Sequence, residues 1–166
     1  PMVAELSQAI IEGAELGVAT GLLALEALAR GSGALGLRLA GHAAGAVPLL
    51  SAAGLSSEAL GPLVEGRRWA TRVDALEVRG AGEGRALWGE ARWVVGGLAA
   101  DPLAVTSREG EVFLVEGALP GLTREPAPSL GMRGAGLAHV RFEGVKVGAP
   151  VAWLDAPTAS RLASMK

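Results

Sequence analysis

The sequence predicts an α+β fold: N-terminal α-helices followed by a mainly antiparallel β-barrel or sandwich domain. Two observations carry this. Before Gly66, Ala and Leu recur at helical spacing, and after it the apolar period drops from 3.6 to 2. A third is size: 166 residues, 50% of them hydrophobic and 19% charged, suffice for one globular unit with its own core. The expected divisions are a helical segment over 1–66, a β-domain over 67–150 and the start of a C-terminal helix over 151–166.

Val3, Leu6, Ile10, Ala14, Val18, Leu22, Leu25 and Leu28 recur every three or four residues, with Glu5, Glu12, Glu15 and Glu26 on other faces. That pattern is one long amphipathic helix, or two separated near Thr20-Gly21. Gly31 to Gly33 breaks it. Ala34 to Ala53 reads as a second apolar helix, kinked at Pro48 and capped at its C-terminus by Gly54. Ser56 or Ser57 starts a short third helix with Glu58 in its first turn, ending at Gly66. Strands follow at Thr71 to Arg79, Ala86 to Val95, Leu103 to Ser107, Glu111 to Glu116 and Leu137 to Val147, divided by Gly-rich or Pro-rich turns. Pro157 to Lys166 opens a new helical pattern.

Composition excludes several chemistries. With 15 basic against 17 acidic side chains the net charge is −2, so no basic field points to nucleic acid. The absence of cysteine removes disulfides, thiolate zinc sites and cysteine nucleophiles, and His42 and His139 alone make no histidine-rich metal site. There is no G-x-S-x-G elbow. The first thirty residues carry glutamates where a secretory leader needs a basic start, so a cytoplasmic protein is expected. The longest uncharged run, Leu39 to Ser57, contains His42, Pro48 and three glycines, and no membrane span is expected there. Asn is missing as well as Cys, a bias shared by thermophilic proteins and GC-rich genomes.

Gly31-Ser32-Gly33-Ala34-Leu35-Gly36 spells G-x-G-x-x-G, but a helix precedes it where a dinucleotide site needs a strand. His42 reads as a packed histidine bonded to a backbone carbonyl, and His139, within a strand, reads the same way. Glu65 and Glu90 read as surface partners of arginines. Trp88 and Trp93 stand out. Strict alternation places them on opposite faces, one filling the core and the other covering a flat ligand or an apolar partner surface. On the pattern alone, core packing or a subunit contact is favoured over a ligand as the explanation of such a residue.

Three blocks resemble a known family. Trp88-Gly89-Glu90-Ala91-Arg92-Trp93-Val94-Val95-Gly96-Gly97, then Ala100-Asp101, is similar to "NGEKxWITNG…AD" of the acyl-CoA dehydrogenase middle domain. Leu130-Gly131-Met132-Arg133-Gly134, then Val140 to Val147, resembles that domain's "LGxRG…vxFxxVxVP". Upstream, Glu26 to Arg30, His42, and Gly54 to Gly66 resemble "EELAR…H…GTEEQKxxxLPxLxxG". The resemblance implies a FAD flavoprotein of fatty acid metabolism that oxidises an acyl-CoA thioester to its 2-enoyl form. A carboxylate takes the α-proton and flavin takes the β-hydride. It implies Trp93, Val94 and Val95 as cofactor-binding residues, an electron-transferring flavoprotein as partner, and a homo-oligomer or partner subunit.

The departures from the family pattern bear on function. The signature "TEPxAGSD" has no counterpart in Arg67 to Asp74, Val95 stands where a hydroxyl residue is usual, and Gly148 replaces a proline. No residue here matches the catalytic base, which the family carries on a four-helix domain after the β-domain. Three readings therefore stand side by side. The chain is a dehydrogenase lacking part of its machinery, a degenerate partner subunit or scaffold without FAD, or a β-module holding a small acyl or CoA ligand on the Trp93 face.

Overall fold

The structure, a computed structural model, describes residues 18–154; the helical patterns expected before Val18 and over Pro157–Lys166 lie outside them. Helix α1, Val18–Gly31, runs unbroken through Thr20 and Gly21. Ser32 then ends one helix and starts the next, its Oγ accepting the Leu35 N–H at 3.3 Å. Helix α2, Gly33–Leu39, passes without a break into a π-helical segment, Ala40–Ala46, and then into α3, Val47–Ala52. The kink expected at Pro48 takes this form: the ring has no N–H to give, and the turn before it widens so that Val47 N–H reaches the His42 carbonyl. Gly54, at φ +75°, closes α3, and Ser56 caps α4, Ser57–Val64.

Seven strands follow: β1 Thr71–Arg79, β2 Ala86–Val94, β3 Leu103–Ser107, β4 Glu111–Val115, β5 Leu122–Pro126, β6 Ala138–Lys146 and β7 Ala152–Trp153. They form one sheet in the order β5-β6-β2-β1-β3-β4-β7, with every neighbouring pair antiparallel except β1 and β3. The sheet folds over along β1. Thr71–Val73 pair with β3, Glu77–Arg79 pair with β2, and the register shifts between Val73 and Leu76, where Ala75 takes φ +62°. Between the two halves lies the main core, with Leu87, Val140 and Phe142 from one side and Leu103, Val105 and Phe113 from the other. The opposite face of β3 and β4 is also covered: Ala104 and Val112 pack under Leu49, Leu50 and Leu63 of the helices. That double burial leaves every residue of β3 buried.

Two strands escaped the pattern reading. Strand β5 is an exposed edge of sequence LTREP with no apolar alternation, and β7 has two residues. Because β7 pairs with β4, the sheet extends past the expected limit at residue 150.

His42 ties helices to sheet. The Ala70 N–H donates to its Nδ1 at 3.0 Å, and its Nε2–H donates to the Leu63 carbonyl at 2.9 Å. Burial at 1% exposure pushes this imidazole below its ordinary range, helped by the charge of Arg38 and opposed by the two backbone bonds. No described helix is long and apolar enough to cross a membrane, and no described cluster of His, Asp and Glu could hold a metal.

Candidate functional site

The site starts from a defect in β2. Its ladder to β6 pairs Ala91 with Val140 and Val94 with Ala138, so Arg92 and Trp93 together oppose His139. Trp93 absorbs the extra residue by taking φ +58°, a left-handed conformation uncommon for a bulky side chain. Strict alternation from buried Leu87 would carry Trp93 into the core. The bulge reverses the parity: Val94 is 7% exposed and packs inward, while Trp93 is left 51% exposed. The expectation that one tryptophan fills the core is therefore corrected. Trp88 is half-buried on the surface, with the Arg79 guanidinium 4.9 Å from its ring centroid, and Leu87 and Val94 hold the core positions.

Beside Trp93 runs a groove of about 630 Å³, lined by Gly41 and Gly45 of the π-helical segment, Thr71 and Asp74 of β1, and Val95. Its volume is that of a small-molecule pocket. The two glycines keep the helical wall flat: a Cβ on Gly41 would touch Val95 at 3.5 Å, and one on Gly45 would reach Arg72 at 4.0 Å. Its polar groups are largely committed to one another. Thr71 Oγ1 donates to the Val95 carbonyl at 2.6 Å, and Asp74 Oδ1 accepts from Arg72 Nε at 2.6 Å and from Thr106 Oγ1 at 2.7 Å. What the groove offers a ligand is a half-exposed indole, a flat apolar wall and a few charged groups at its mouth.

The three residues singled out in the sequence thus differ in where their side chains lie. Trp93 presents its ring to the groove, Val95 forms hydrocarbon wall, and Val94 points into the core, leaving only its main chain for a ligand. Arg92, which also borders the groove, lines a polar pocket of about 300 Å³ with Glu90 of β2, Thr123 and Glu125 of β5, and His139 and Arg141 of β6. The His139 ring meets the indole edge-to-face, centroids 5.5 Å apart and planes at 75°. Glu90 accepts from Arg92 Nε at 2.8 Å, which holds its carboxyl below the usual carboxylate range. Pattern reading missed Gly41, Gly45 and His139 as site residues; the first two look like ordinary helix glycines until β2 is packed beside them.

The G-x-G-x-x-G run lies at the junction of α1 and α2, with no strand before it. Arg67 to Ala70 form only a short connection after α4. Strand β1 passes straight through from Thr71 with only the bulge at Ala75.

No protein-family model matches the chain, and no curated protein matches it in sequence. Solved structures do match. Butyryl-CoA dehydrogenase from Megasphaera elsdenii superposes with a TM-score of 0.77 at 20% identity, over 98% of this chain and 52% of its own. A prolyl acyl carrier protein oxidase gives 0.75 at 21% identity, over 95% of this chain and 50% of its own. An FAD-dependent dehydrogenase gives 0.70 at 21% identity, over 87% of this chain and 46% of its own. The chain has the fold of these proteins and spans about half the length of each.

Proposed function

We propose that the chain forms the helical N-terminal part and β-domain of an acyl-CoA dehydrogenase-like flavoprotein, and that the Trp93 face is its wall against a flat redox ring. One observation carries the reading: a bulge turns a large indole outward, at a backbone cost, onto a groove of ligand size. The fold shared with butyryl-CoA dehydrogenase and an FAD-dependent dehydrogenase supports FAD as the ring and an acyl thioester as the substrate class.

The described residues fit one face of that ring. Trp93 would stack on it, and Gly41, Gly45 and Val95 would exclude water beside it. When bound, flavin supplies a hydride acceptor. What this chain does is bind, orient and keep the face dry. The polar rim of the ring is less well served, because Thr71 is already bonded to Val95. A base, an electron-transferring flavoprotein as acceptor, and self-association or a partner subunit belong to the whole active assembly in this reading.

A second reading, a partner subunit or scaffold that has lost FAD, is favoured by β1. Where the resembled signature would interpose a flavin-contacting loop, this strand carries a single bulged residue. Gel filtration after incubation with FAD separates the two. Co-elution of flavin absorbance with the protein supports the first reading. A colourless protein peak at saturating FAD overturns it for this chain and leaves the second.

A further inference from the structure

We infer that His139 is the positioning residue of the Trp93 platform: its Nδ1–H donates into one face of the indole and leaves the opposite face for a ligand. The inference deepens the reading of Trp93 as a ligand wall and rests on it for its binding consequence only.

Three observations converge. His139 Nδ1 is buried and has no nitrogen or oxygen partner in the structure. A buried polar nitrogen left bare is costly, so it calls for a partner of another kind. The ring that His139 meets is the indole of Trp93, at 5.5 Å and 75°, an edge-to-face arrangement in which an N–H on one ring can be turned to the π face of the other. The ladder accounts for the meeting, because the two bulged residues of β2 sit opposite His139 alone. The left-handed backbone at Trp93 leaves the indole half-exposed, with His139 of β6 as its aromatic neighbour.

The assignment has a signature. The groups that face the imidazole are Glu90 and Arg92 from β2, Glu125 and Thr123 from β5, and Arg141 from β6. A protonated imidazole held edge-on to an indole makes a cation–π contact. An imidazolium in contact with an indole quenches its fluorescence, so Trp93 emission should fall as the pH is lowered, and only while His139 is present.

The Trp93 emission is isolated as the difference between the protein and its Trp93→Phe variant, with and without His139→Gln. The expected result is an acid-induced loss of most of the Trp93 emission that disappears in His139→Gln. A flat wild-type profile, or the same loss in His139→Gln, overturns the inference. His139→Phe keeps an edge on the indole without a titrating nitrogen and covers the case in which Gln does not fold. It should lose the pH response, and retaining that response overturns the assignment. FAD titration is the second arm: in His139→Gln, affinity should fall roughly three- to tenfold, the worth of one aromatic edge contact. Unchanged affinity overturns the positioning role. Failure of the wild type to bind FAD counts against the proposed function, and the emission test still decides the contact.

Discussion

Lowering the pH below neutral should destabilise this protein through His42. In the folded state Nδ1 accepts the Ala70 N–H at 3.0 Å, so it carries no proton, and Nε2–H is spent on the Leu63 carbonyl at 2.9 Å. Protonating Nδ1 would set two N–H groups against each other, with only the Ala70 carbonyl, at 3.2 Å, to accept. The folded pKa therefore lies below the unfolded value of 6.5. The sign follows: well above 6.5 both states are neutral and His42 contributes no pH dependence. Below it the unfolded chain takes up a proton that the folded protein refuses, so stability falls with pH until the folded pKa is reached. Between about pH 7.5 and about pH 5.5 the loss from one such histidine is at most about 1.4 kcal/mol. Urea unfolding at the two pH values measures it. His42→Gln, whatever its own stability, should show a smaller loss over the same interval, and because it retains His139 the difference isolates His42. Equal losses in the two proteins would refute the assignment of a buried neutral imidazole.

Other outcomes follow from the same geometry. Trp93→Gly removes a half-exposed indole and relieves a left-handed backbone, so stability should hold or rise by up to about 1 kcal/mol while any FAD binding is lost; thermal unfolding and FAD titration read the two effects. Leu87→Ala opens a void in the fully buried core between the sheet halves and should cost about 2–5 kcal/mol in urea unfolding. Gly121→Ala, at φ +83°, would drive its Cβ into the Glu143 carbonyl where β5 meets β6, and a loss of about 2 kcal/mol or more is expected by the same method.

How much of this was legible in the sequence depended on whether the signal was local. Thr71–Arg79 and Leu103–Ser107 appear with the limits their alternation suggests, and the caps at Ser56 and Gly54 sit where side-chain chemistry puts them. Leu122–Pro126 was invisible because an exposed edge strand needs no apolar face. The site was half legible. A large aromatic at position 93 could be singled out from its pattern, but its direction could not, because a bulge changes parity and the bulge is defined by the partner strand. Val94 adjoins the exposed indole in sequence, yet its side chain faces the opposite way and only its main chain is left toward the groove. Gly41 and Gly45 gain meaning only when a widened helical turn meets β1 and β2.

The chain has four tryptophans, Trp69, Trp88, Trp93 and Trp153, and each contributes one indole N–H resonance. Following these four signals during FAD titration asks directly whether the outward-turned indole is the ligand wall. The account predicts that the Trp93 resonance shifts saturably, with the largest change of the four. No shift in any resonance, or a larger one at Trp88 or Trp153, would contradict it.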